Sequence, residues 1–116
     1  MHVVIAPDSF TGTLTATQAA EAIAAGWAEA APHVVLSLVP LSDGGPGFLD
    51  VLAPALDGEM LATIVADPLG REVPASVLLG DGGRTAYVES AQATGLHLLE
   101  ASERDPGVTS TYGVGQ

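Results

Sequence analysis

Asp8 and Asp43 are the side chains in this sequence with the clearest chemical potential. Each sits in a polar loop between an apolar run and a helical pattern: Pro7-Asp8-Ser9 follows residues 3–5, and Ser42-Asp43-Gly44-Gly45 follows residues 34–39. In an open α/β sheet, ligands settle beyond the carboxyl ends of the strands, where loop amides and a helix N-terminus favour negative charge. There Asp8 and Ser9 can hold a ligand hydroxyl, bind a magnesium-associated water or orient a phosphate. Gly44 and Gly45 expose backbone N–H groups to a ligand, while Asp43 can take a hydroxyl or a metal ion. The same residue types also cap and tighten ordinary turns, and both readings stay open on these letters alone.

Other chemistry-bearing residues point less sharply. Glu89 follows an apolar run and opens a segment of small residues, so it can be a general base, a metal ligand or, the reading slightly preferred, a carboxylate favoured at a helix start. Asp81-Gly82-Gly83 repeats the letters of the 43–45 loop but sits between strand-like runs, where a plain turn is the simpler reading. His2, His33 and His97 are scattered, with no spacing that suits a zinc site. Neither the phosphate loop GxxxxGK[ST] nor a GxGxxG turn after a strand is present. Trp27 reads as a core or interface residue of its helix.

The elements that would position these residues follow from periodicity. Residues 3–5 form a β-branched run that predicts a buried strand. Ala19, Ala20, Ile23, Ala24, Trp27, Ala28 and Ala31 recur at helical spacing, starting from Thr15 or Thr17 and stopped by Pro32. Thr17 with Gln18 and Glu21 offers a cap and first turn. Residues 34–39 predict a second buried strand, which completes a βαβ unit with a parallel pair. Phe48, Leu49, Val51, Leu52 and Leu56 predict a helix that Pro54 shortens or kinks. Residues 60–66, 72–79 and 85–89, separated by Asp67-Pro-Leu-Gly70 and the 81–83 turn, predict an antiparallel meander. Residues 90–96 predict a short helix ending at Gly95. The expected class is α/β: the parallel βαβ start of a Rossmann-like sheet over residues 1–58, then a strand-rich part over residues 59–116.

Composition narrows the partners. The 116 residues are 47% hydrophobic, enough for a real core. Fourteen acidic residues against three Arg and no Lys give a formal charge of -11 and a pI near 4.1. Nucleic acid and anionic membrane surfaces are disfavoured, because both demand clustered cations. A free anionic substrate would be repelled unless dipoles, a metal ion or further protein offset the charge locally. Without cysteine there are no disulfides or thiolate chemistry, which is compatible with a reducing compartment. The start MHVVIAPDSF lacks the pattern of a secretory signal, and no apolar run approaches the ~20 residues that span a bilayer. A cytoplasmic location is the expectation.

Five ordered segments carry a more specific signal: VVIAPDSFTGTLTA (3–16), PLSDGGPG (40–47), DPLGREV (67–73), VESAQATGL (88–96) and ERDPGVTSTYGVGQ (103–116). Together they resemble the N-terminal portion of bacterial glycerate kinases of the glycerate 2-kinase type. The resemblance implies a larger two-domain α/β kinase that transfers the γ-phosphoryl group of ATP to D-glycerate with Mg2+, binding its substrates in a cleft between lobes. It assigns Asp8 and Asp43 as catalytic, and Ser9, Gly44, Gly45, Glu89, Thr111, Tyr112 and Gly113 as substrate-binding. It leaves any metal ligands unknown.

The chain departs from the family pattern at two informative places. Thr11 stands where the family has Lys, and Pro46 where it has Glu. A Lys is a compact cation for phosphate or carboxylate, and a carboxylate can bind magnesium, so neither replacement fills the role. The TYGVG segment normally introduces further structure, which reads as the upstream part of a longer sequence. The expectation is a part that is inactive by itself, completed by a C-terminal portion or paired as a homodimer. The alternative is a non-catalytic module that binds a small hydroxy acid or serves as a partner subunit.

Overall fold

A computed structural model describes residues 1–116, which divide into two units, Met1–Val51 and Leu52–Gln116. In the first unit, β1 (His2–Ile5) pairs in parallel with β2 (Val35–Leu38), with His2 opposite Val35 and Ile5 opposite Leu38. Helix α1 (Ala16–Ala30) connects them, as parallel pairing requires a crossover. Its N-terminus is closed by Thr15 rather than Thr17. The Thr15 hydroxyl accepts from the Gln18 amide at 3.2 Å, and the Gln18 side chain accepts from the Thr15 amide at 3.0 Å. This reciprocal pair satisfies two donors that the first turn otherwise leaves orphaned. At the other end the Ala31 amide bonds to Trp27, and the chain leaves the helix before Pro32.

Helix α1 packs on both strands through small residues: Ala16, Ala19 and Ala20 are buried, together with Ile5, Val34 and Leu49. Alanine at these positions lets the helix approach the sheet closely. The opposite face is open. Val4 and Val35 are 57% and 63% exposed, although both runs read as buried strands. The difference has a simple cause: one helix covers one face of a two-stranded sheet, whereas the continuous apolar pattern belongs to a sheet covered on both. Trp27 and Ile23 are likewise on the exposed side of α1. Helix α2 (Phe48–Leu52) is short and ends before Pro54, whose ring disfavours helical backbone at residue 53.

The second unit is an antiparallel meander of β3 (Glu59–Ala66), β4 (Glu72–Gly80) and β5 (Thr85–Val88). β3 and β4 pair along eight positions, from Glu59 opposite Leu79 to Ala66 opposite Glu72, while β5 pairs only with the end of β4, from Val77 to Gly80. Pro74 is therefore tolerated inside a middle strand. Residues two apart in a strand point their amides the same way, and the Ser76 amide turns away from β3 to the Gln92 side chain at 2.6 Å. The missing N–H of Pro74 falls on that same side, where no strand pairs. The β4–β5 connection uses positive φ at Asp81, Gly82 and Gly83. Helix α3 (Ala91–Thr94) packs on β4, and the core is Val65, Leu78, Ala91, Ala93 and Leu99. Leu78, 1% exposed, alone contributes roughly 2 kcal/mol of hydrophobic burial. No helix is long and apolar enough to cross a membrane.

Candidate functional site

The parallel pairing of the first unit continues past the ends of its strands. The Val39 amide donates to Ile5 at 2.8 Å and the Leu41 amide to Pro7 at 2.9 Å. Asp8 follows the second of these links directly, and Asp43 lies two residues beyond it. The loops bearing Asp8, Ser9, Asp43, Gly44 and Gly45 thus open on one rim, at the carboxyl ends of β1 and β2. This is the placement expected from the strand-loop pattern.

Each carboxylate is oriented by its own loop. Asp8 Oδ1 accepts from the Ser9 amide at 2.7 Å, and Asp43 Oδ1 accepts from the Gly45 amide at 2.8 Å. The Ser42 hydroxyl accepts from the Gly44 amide at 3.1 Å. Gly44 has φ +92°, a backbone that other residues rarely adopt. The Gly44 and Gly45 amides are thus taken by their own loop instead of facing a ligand, whereas only one oxygen of each carboxylate fixes the loop and the other is left for solvent or ligand. Asp8, Ser9 and Asp43 are all exposed. Thr11 lies in a tight turn closed by the Phe10–Leu14 bridge, with Gly12 at φ +74°, and Pro46 is exposed.

Electrostatically this rim is unbalanced. Residues 1–51 contain five acidic side chains and no Lys or Arg. No three His, Asp or Glu side chains stand together as a metal cage. Magnesium seldom uses such a cage: it keeps several waters and is held by one or two carboxylates plus substrate phosphates. Asp8 and Asp43 fit that donor set. An ion held there would offset the negative charge of a phosphate group beside the two aspartates.

In the second unit, Glu89 and Gly113 line one cavity of about 440 Å³, whose walls include Leu61, Val65, Val77 and Val88 and whose polar groups include Ser90 and Gln116. Glu89 is buried, 6% exposed, one residue before the Ser90 cap of α3. Thr111 and Tyr112 are exposed, Tyr112 at 69%. Tyr112 and Gly113 open a short 3-10 turn, Tyr112–Gly115. Gly113 is required there, since a Cβ would collide with the Ala66 carbonyl.

A group that residue types did not single out is Asp67, 3% exposed at the start of the β3–β4 turn. Its Oδ1 accepts from the amides of Leu69 and Arg71, both at 2.8 Å, and its Oδ2 from Arg71 Nε at 2.5 Å. Burial pushes this carboxyl up, but the amide and guanidinium of Arg71 and the amide of Leu69 pull it down by more, and the net position is below the usual carboxylate value. Arg71 also binds Glu103 Oε1 at 2.9 Å and the Leu98 carbonyl at 2.9 Å. The available signal was the DPLGR spacing, which puts an Arg four residues after an Asp across a turn.

Comparison with known proteins agrees with the resemblance. The model of the glycerate kinase family matches residues 3–116. The chain is 45% identical over 114 residues to a glycerate kinase of Halalkalibacterium halodurans, covering 98% of this chain and 30% of that protein. It is 40% identical over 116 residues to the glycerate 2-kinase of Escherichia coli, covering 100% and 30%. The crystal structure of a candidate glycerate kinase 2 from Salmonella typhimurium LT2 superimposes with a TM-score of 0.74 at 37% identity, covering 99% of this chain and 31% of that one. The chain spans about 30% of the length of the curated relatives it matches. On the family match along nearly its whole length, and on the α/β elements common to both, the chain belongs to the glycerate kinase family.

Proposed function

We propose that this chain is the N-terminal part of a cytoplasmic glycerate kinase, which transfers the γ-phosphoryl group of ATP to a hydroxyl of D-glycerate to give a phosphoglycerate. Residues 1–58 belong to its first α/β domain and residues 59–116 begin its second. Asp8 and Asp43 are the catalytic carboxylates: one accepts the proton of the attacking hydroxyl, and the other would help hold the magnesium that accompanies ATP. Ser9, Gly44 and Gly45 bind substrate at the same rim, and Glu89, Thr111, Tyr112 and Gly113 are the substrate-binding residues of the second unit.

The observation that carries this reading is the Leu41–Pro7 hydrogen bond, which holds both aspartate loops at one sheet edge. Phosphoryl transfer depends mostly on positioning and charge neutralisation, with little covalent work for the protein. A first unit without Lys or Arg cannot neutralise a triphosphate, so cations beyond it are needed, and with three Arg in all the 116 residues alone are expected to be inactive. The test is ADP release in the presence of D-glycerate, ATP and Mg2+, from these 116 residues and from the complete polypeptide that carries them. Turnover by the complete polypeptide only is the expected result. No turnover by either supports the second reading, a hydroxy-acid-binding module whose activity went with the replacements at Thr11 and Pro46.

A further inference from the structure

The β3–β4 turn does more than reverse the chain. Ala66 and Pro68, the two neighbours of Asp67, hold both ends of the segment 110–116. The Ser110 amide donates to the Pro68 carbonyl at 2.9 Å, and the Ala66 amide donates to the Gln116 side chain at 2.8 Å. Between these points Gly113 lies against the Ala66 backbone so closely that no side chain fits. The Ser110 hydroxyl accepts from the Tyr112 amide at 3.1 Å, which carries the anchorage into residues 111–113.

The shape of the anchoring strip is set by one ion pair, in which the carboxylate of Asp67 is buried and the guanidinium of Arg71 is half-exposed. Three donors converge on the Asp67 carboxylate, and the Asp67 amide closes the turn on the Arg71 carbonyl at 2.7 Å. Arg71 in turn reaches Glu103, and Glu103 Oε2 accepts from the Glu100 amide at 3.0 Å. The turn is thereby braced against the stretch that leads into residue 110. A charge-assisted fork of this kind fixes orientation as well as contributing energy.

We propose that Asp67 and Arg71 are positioning residues for the segment 111–113: their ion pair sets the turn whose backbone holds that segment in place. The inference deepens the functional reading above and rests on it for the claim that residues 111–113 meet substrate. The mechanical part stands on the hydrogen bonds alone.

The test uses Arg71→Ala in the complete polypeptide, with Glu103→Gln, which keeps an acceptor for Arg71, as the milder variant should Arg71→Ala fail to fold. Two quantities are read: hydrogen exchange at the Ser110 amide, and KM for D-glycerate and for ATP against kcat. Exchange at Ser110 should rise about tenfold in Arg71→Ala, as loss of a charged hydrogen-bond anchor implies, and less in Glu103→Gln. KM for one substrate should rise more than kcat falls, because a poorly held segment binds badly in every molecule. Unchanged Ser110 exchange overturns the inference. So does a fall in kcat at constant KM that is matched by an equal fall in the folded fraction measured by circular dichroism. If the wild-type polypeptide does not phosphorylate D-glycerate, the functional reading fails and Ser110 exchange alone decides whether the turn holds the segment.

Discussion

The Leu41 amide donates to the Pro7 carbonyl at 2.9 Å, and through that one bond the loops carrying Asp8 and Asp43 become neighbours. Two carboxylates separated by 34 residues in sequence, with a 15-residue helix between them, reach a common rim because parallel pairing of β1 and β2 continues two residues past the strands.

That geometry makes Asp43→Asn a clean probe. The amide side chain retains an oxygen to accept from Gly45, so the loop keeps its shape while the charge is removed. If Asp43 takes the proton of the attacking hydroxyl, turnover of D-glycerate in the complete polypeptide should fall about 100-fold or more, the usual contribution of a positioned base. Asp8→Asn should also reduce turnover. A wild-type rate for Asp43→Asn rejects its catalytic role.

The cation deficit of the same rim predicts the effect of Thr11→Lys. Position 11 is exposed, and Gly12 takes the left-handed backbone of the turn, so a long side chain meets no steric cost. A Lys there should lower KM for ATP by about threefold to fivefold, as befits an exposed charge pair of up to ~1 kcal/mol. The gain should shrink as salt is raised, since an exposed pair is screened. A KM that is unchanged at low salt would place the phosphates away from residue 11.

Which features were legible follows from the range of the interactions behind them. The strand-loop-glycine order at residues 3–9 and 34–45 depends on local preferences, and a βαβ unit admits little choice in how its ends are arranged, so the shared rim could be read in advance. The exposure of Val4 and Val35 could not, because an apolar run reports how much surface a strand can bury and says nothing of what covers it. Asp67 was equally illegible. The turn it begins is a local pattern, but its tie through Arg71 to Glu103 joins residues 36 apart in sequence. The choice of Thr15 over Thr17 as the α1 cap was open for another reason: either Thr could cap, and only Thr15 places Gln18 three residues on, completing the reciprocal pair.

Replacing that cap gives a stability prediction independent of function. Thr15→Ala removes the oxygen that accepts from Gln18 and should cost about 1 kcal/mol, measured as a lower midpoint in urea denaturation followed by helical circular dichroism. Thr15→Ser keeps the hydroxyl and should lie near wild type. Thr17→Ala should have little effect, since Thr17 is inside the helix and exposed.

Asp67 predicts how stability depends on pH. Its carboxyl pKa in the folded chain lies below the unfolded value, because the hydrogen bonds and charge of Arg71 outweigh the cost of burial. The folded state therefore binds that proton less readily than the unfolded chain, and the ion pair stabilises the fold fully above the ordinary carboxylate pKa. As pH falls below about 3.9 and through the depressed folded value, this contribution is lost. Arg71, whose pKa is raised chiefly by its hydrogen bond to Asp67, stays charged throughout and adds no slope of its own in this range. Asp67→Asn cannot ionise, and its amide presents a donor to the guanidinium. Thermal melting should then show the variant well below wild type at neutral pH and the two curves converging in acid. Parallel curves down to the acid limit would mean that folding does not shift the pKa of Asp67.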